Sequence, residues 1–177
     1  MILRNSQVIT LDNFQDKIQT QKGQIGENII KSFLKNKGYI IYKPELSGAH
    51  AFDILAIRNK QELLIAEVKS KARRNKYPDT GIDIKHYNEY KYISQKHNLP
   101  IFIFFVDEME HNIYGNFLSL LEKPTIIDKI NKKYPSQENS IIYFPLKNMK
   151  TIFKLTDDQV SQLKKYSTRN YKYLNDP

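Results

Sequence analysis

The chain has 177 residues, 40% of them hydrophobic and 27% charged, with a formal net charge of +9 and an isoelectric point near 9.5. That length suits a single domain over 1–177, able to bury roughly 70% of its unfolded surface. The absence of cysteine excludes disulfides, thiolate zinc sites and a cysteine nucleophile.

The positive charge favours an anionic partner such as nucleic acid or a membrane face; a lysine-rich, AT-rich genome would give the same balance, so composition alone does not choose. The apolar run Ile101 to Val106 is too short to span a bilayer, and residues 1–7 lack the apolar core of a signal peptide. A cytoplasmic protein with no membrane partner is expected.

Residues 1–20 are weakly patterned, with Val8, Ile9, Leu11, Phe14 and Ile18 compatible with a short strand or a helical turn. From Gln24 to Lys37, Ile25, Ile29, Ile30, Phe33 and Leu34 recur at helical spacing, and Gly38 follows as a stop. Gly26 falls near the middle of that apolar face, where a missing side chain permits close approach to a sheet. Glu27 falls at the edge of the same face, within the first turn, where the helix dipole favours an acid in any case.

Tyr39 to Lys43 reads as a strand closed by Pro44, and 47–50 as a turn. Ala51 to Ile57 is a second strand, Arg58 to Gln61 a hairpin connection, and Glu62 to Lys69 a third strand. Alternation puts Leu63, Ile65, Glu67 and Lys69 on one face. A short hairpin makes strands two and three antiparallel neighbours, so Asp53, early in one, meets Glu67, late in the other.

Residues 70–81 form a basic loop carrying Lys71, Arg73, Arg74 and Lys76. Asp83 to His97 is a helix and Pro100 to Asp107 a fully apolar, buried strand. Ile113 to Leu118 is a further strand, 123–139 a Lys- and Pro-containing stretch with a short helix, and Ser140 to Phe144 another strand. Thr156 opens a last helix, with Gln159 spaced for a capping box and Asp157 and Asp158 in the first turn.

Charges at strand ends that are otherwise apolar need a reason, because a buried charge must be paired or must coordinate a metal. Asp53 and Glu67 are a suitable ligand pair for a hard divalent cation, and the backbone carbonyl of Val68 is positioned as a third oxygen. Lys69, on the same face as Glu67, is placed to orient a water and stabilise charge. Glu27 is placed to bind a second metal or a metal-bound water. This is the equipment of phosphodiester hydrolysis.

These residues carry a family resemblance. Glu27 in the first helix, Asp53 in the second strand, and Glu67-Val68-Lys69 in the third resemble the motif of the PD-(D/E)xK nuclease superfamily. The likeness covers roughly residues 23–107 as topology, with 108–177 as a C-terminal elaboration. It implies a three-layer α/β, restriction-endonuclease-like αβββαβ core with a mixed central sheet and added C-terminal strands and helix. It also implies Mg²⁺, or alternatively Mn²⁺, as cofactor, Asp53 and Glu67 as metal ligands, and Lys69 as catalytic lysine. Glu27 matches the helix acid of the archaeal-resolvase and Mrr-like branches. Phe52 stands where the motif's nominal proline would be, and Lys85 or His86 where some branches carry a glutamine.

A Mg²⁺-dependent endo- or exonuclease acting on DNA is therefore expected, and with no second recognition domain evident, either relaxed specificity or a homodimer goes with it. The alternatives are a nucleic-acid-binding module that keeps the fold without turnover, or a partner-dependent subunit. Glu89-Tyr90-Lys91 repeats the Glu-x-Lys tripeptide on a helix, where ordinary surface charge explains it. His86 reads as a packing residue, and His50 as an exposed loop residue or a phosphate contact. The 71–76 run reads either as solvated loop or as a grip on the phosphate backbone. Tyr166, Tyr171 and Tyr173 read as a packed or frayed tail rather than a base-stacking set.

Overall fold

The computed structural model describes residues 18–43, 52–59 and 62–167; the expectations for residues 1–17, for the 47–50 turn with His50, and for Tyr171 and Tyr173 lie outside them. Helix α1 runs Ile18–Asn36 and buries Gly26, Ile29, Ile30 and Leu34 along one side, the i, i+3, i+4 stripe of a helix packed on a sheet. Gly38 at φ 84° ends it, taking the left-handed conformation glycine tolerates best. The helix starts well ahead of Gln24, so Glu27 stands in mid-helix. With no acid in its first turn, the dipole gives no account of Glu27.

The central sheet has six strands in the order β1-β2-β3-β5-β6-β11. They are β1 Ile40–Tyr42, β2 Ile54–Arg58, β3 Glu62–Lys69, β5 Ile101–Asp107, β6 Asn112–Phe117 and β11 Lys150–Lys154. β1, β2 and β3 form an antiparallel meander, β3 and β5 are parallel, and β6 and β11 add antiparallel strands at the far edge. The parallel pair requires a crossover, supplied by helix α2, Ile84–His97, whose Asp83 cap accepts from the Lys85 backbone N–H.

Alternation sorts the core onto two faces. On one, Ala66 and Val68 of β3 and Phe104 and Val106 of β5 pack with Ile29, Ile30 and Leu34 of α1. Val160 and Leu163 of the last helix, α4 (Asp157–Lys165), complete that cluster. On the other, Ile65, Ile101, Ile103 and Phe105 pack with Tyr90 of α2, and with Ile82 and Phe144. The result is a mixed α/β molecule built on a mixed central sheet.

Two smaller sheets depart from the sequence reading. Residues 70–81 are expected as loop, yet Asp79–Asp83 forms β4, paired antiparallel with β10 (Ile141–Pro145), which pairs in turn with β9 (Ser136–Glu138). Asp-Thr-Gly-Ile-Asp carries no strand pattern of its own; a partner far downstream imposes the conformation. The short helix expected within 123–139 is instead β7 (Thr125–Ile127), one 3₁₀ turn and β8 (Lys132–Tyr134). A single turn of helix, α3, covers Leu118–Leu121. The capping box of α4 forms as expected, with reciprocal bonds between Thr156 and Gln159. Among the described residues, no helix is long and apolar enough to cross a membrane.

Candidate functional site

The β2–β3 register pairs Ile54 with Ala66. Continued by one pair, it sets Asp53 across from Glu67. Asp53 stands one residue ahead of β2 rather than within it, and its Oδ2 accepts the Val68 backbone N–H at 2.8 Å. That bond draws the carboxylate across the sheet end. Burial, and then the carboxylates of Glu67 and Glu27, push the Asp53 carboxyl up to about 7, against the smaller opposing effects of the Val68 bond and Lys69. Asp53 is therefore the acid that bears the crowding of two neighbouring carboxylates.

Glu67 is 3% exposed. Its Oε1 takes the Tyr90 hydroxyl at 2.5 Å and lies 2.6 Å from Lys69 Nζ, while its Oε2 is buried with no hydrogen-bond partner. Lys69 also lies over the Tyr90 ring, 5.7 Å from its centroid. In the sequence Tyr90 stands out only as the middle of the Glu89-Tyr90-Lys91 tripeptide. Its contact with Glu67 crosses from helix to strand, so no local spacing announces it.

Glu27 reaches this group from α1, and the helix is brought close by Gly26. A Cβ at Gly26 would fall 2.0 Å from Ser70 Oγ, so a side chain there fits against the exit of β3 only if the Ser70 hydroxyl gives way. Glu27 Oε2 pairs with Lys43 Nζ at 2.6 Å. Lys43, just past β1, went unrecognised because it reads as an ordinary cation before a proline.

Asp53, Glu67, Lys69 and Glu27 thus converge on the end of β3. Among the described residues, no group of three or more His, Asp or Glu is placed to hold a metal ion together. The acids nevertheless suit a hard cation in two respects. The donors are all oxygens, and Glu67 Oε2 is a buried acceptor lacking a donor. Asp53, Glu67 and the Val68 carbonyl are the residues that would hold it.

The basic run divides. Arg73 pairs with Glu110 at 2.5 Å, and its backbone N–H donates to Asp107. Arg74 makes a two-pronged contact with fully buried Asp79 at 2.5 and 2.6 Å, pairs with Glu138, and stacks 3.7 Å from the Tyr143 ring centroid. Those carboxylate contacts hold its guanidinium above the usual arginine range. Lys71 lies 5.8 Å from the same ring centroid, and Lys76 is exposed. The tripeptide at Glu89 behaves as surface charge: Glu89 is exposed and Lys91 pairs with Glu122 at 3.1 Å. His86 is exposed, with its ring edge-on to Tyr90 at 6.2 Å.

No protein-family model and no curated protein matches this chain. Among solved structures, the fold matches Hjc, a Holliday junction resolvase from the archaeal hyperthermophile Archaeoglobus fulgidus, with a TM-score of 0.52 at 12% identity. The match covers 74% of this chain and 92% of that one. A nuclease of a fusselovirus, D212, aligns with a TM-score of 0.49 at 12% identity, over 85% of this chain and 93% of its own. The fold of this chain is thus similar to that of the resolvase.

Proposed function

We propose that this chain is a divalent-metal-dependent nuclease hydrolysing phosphodiester bonds in DNA. One observation carries the reading: Asp53, one residue ahead of β2, accepts the Val68 backbone N–H at 2.8 Å, next to buried Glu67, whose carboxylate lies 2.6 Å from Lys69 Nζ. The resolvase-like fold supports it.

In this reading Asp53, Glu67 and the Val68 carbonyl hold Mg²⁺, or Mn²⁺ in its place, with Glu27 joining them from α1. The bound cation supplies charge neutralisation at the phosphate and lowers the pKa of a coordinated water. Lys69 orients the water for attack and offsets charge developing on the phosphate oxygens. Lys71 and Lys76 contact the backbone beyond the site, independently of sequence. Arg73 and Arg74 have carboxylate partners and support the fold of that segment as well.

The net charge of +9 suits a polyanion. Since Hjc is described as a Holliday junction resolvase, branched DNA belongs among the substrates tested. The experiment is a cleavage panel of linear, nicked, branched and single-stranded DNA plus RNA, each with and without Mg²⁺. Metal-dependent cleavage of at least one DNA supports the reading; cleavage confined to RNA would reassign the substrate.

A second reading is a nucleic-acid-binding module without turnover. It is favoured by the engagement of Glu27 with Lys43, which turns the third acid toward a cation of the protein itself. Salt-sensitive DNA binding with no hydrolysis in any divalent metal identifies it.

A further inference from the structure

The two carboxylate oxygens of Glu67 have opposite surroundings. Oε1 has two cationic or hydroxyl neighbours, Tyr90 at 2.5 Å and Lys69 at 2.6 Å, whereas buried Oε2 has no hydrogen-bond partner. A buried acceptor without a donor is costly, and a cation at Oε2 removes that cost. The two neighbours of Oε1 are unlike. Tyr90 is 3% exposed and fixed in the second core cluster. Its hydroxyl donates to Glu67 Oε1 across the gap between helix and strand. The Lys69 side chain is 23% exposed and extends from the strand end on a flexible stem.

We propose that Tyr90 is a positioning residue of the metal site. Its hydroxyl anchors Glu67 Oε1, turns Oε2 toward the cation, and satisfies Oε1 alone so that Lys69 is released to the substrate. This rests on the nuclease reading above. It assigns the oxygens, giving Oε2 to the metal and Oε1 to the protein, and it gives α2 a part in the chemistry. Outer partners of ligating carboxylates act in this way, and losing one typically weakens metal binding about 10–100-fold.

The test is Mn²⁺ binding by calorimetry at pH 8 on the full chain, comparing the unsubstituted protein, Tyr90→Phe and Asp53→Asn. Thermal melts with and without Mn²⁺ accompany it. Tyr90→Phe keeps the ring and removes only the hydroxyl. The expected result is a Kd for Mn²⁺ raised about 10-fold or more, and a smaller rise in Tm on adding Mn²⁺. At saturating Mn²⁺, kcat falls as well, because Lys69 stays on Glu67. A merely structural hydroxyl would lower Tm equally with and without Mn²⁺ and leave the Kd unchanged; that outcome overturns the proposal. If Tyr90→Phe binds Mn²⁺ normally while Asp53→Asn does not, the positioning role fails and the nuclease reading stands. An unsubstituted protein that binds no Mn²⁺ overturns both.

Discussion

Asp53 bears a large electrostatic cost. Its carboxyl titrates near 7 in the fold against 3.8 for the ordinary side chain, through burial, Glu67 and Glu27. Between those two values the folded state binds more protons than the unfolded chain. Asp53 therefore contributes stability that is fully present below pH 3.8 and is lost as pH rises through 7. The upper bound is roughly 4 kcal/mol, at about 1.4 kcal/mol per tenfold change in the protonation equilibrium. Without divalent metal, Asp53→Asn should raise stability at pH 8 and change it little below pH 4, as chemical denaturation at the two pH values will show. A loss of stability at pH 8 would contradict the crowding of acids inferred here. The same substitution should abolish cleavage. Lys69→Ala should lower kcat by roughly 100-fold or more, the scale set by removal of a single charge-stabilising donor, measured at saturating metal.

At the scale of elements, the site depends on how closely α1 meets the end of β3. Gly26→Val places a branched side chain where a Cβ alone falls 2.0 Å from Ser70 Oγ and 3.5 Å from Val106. The expected loss is about 1–3 kcal/mol, together with impaired metal binding as Glu27 is carried away. Gly26→Ala combined with Ser70→Ala should be tolerated, because the clashing oxygen is gone and the Cβ–Cβ distance is 3.4 Å. Denaturation midpoints of the two proteins check both statements.

The segment after β3 is anchored by Arg74, which holds fully buried Asp79 together with the Tyr134 hydroxyl at 2.6 Å. Arg74→Ala leaves that carboxylate without its main partner and should cost about 3–5 kcal/mol. Lys76→Ala, at an exposed position, should leave stability unchanged and weaken DNA binding only. Equal effects of the two on stability would refute this division.

The meander of β1–β3, helix α2, the apolar β5 and the capped α4 were all legible, because each carries its own periodicity and end signals. The pairing of Asp53 with Glu67 was legible too, since a short hairpin dictates the register. Tyr90 and Lys43 were not, because their partners lie on other elements, and neither alternation nor helical spacing reports on contacts between elements. β4 failed for the same reason, since the strand exists through β10. Arg74 read as a candidate DNA contact because sequence shows its charge and hides Asp79 and Glu138.

At the scale of the whole molecule, the acids at the end of β3 contrast with the balance of charge around them. A cluster of acids lies within a chain of net charge +9. On the proposed reading, a positive net charge attracts a polyanion while the acids need a cation before a phosphate can approach them, so DNA binding and metal binding are predicted to be coupled. DNA affinity should fall steeply with salt, the slope reporting the number of phosphates neutralised, and titrations at several salt concentrations measure it. The most direct test of the central claim is the rate of DNA cleavage by the purified unsubstituted, Asp53→Asn and Lys69→Ala proteins, with and without Mg²⁺. Cleavage by the unsubstituted protein alone, and only with the metal, is the predicted result; robust cleavage by the two substituted proteins would contradict the assignment of this site.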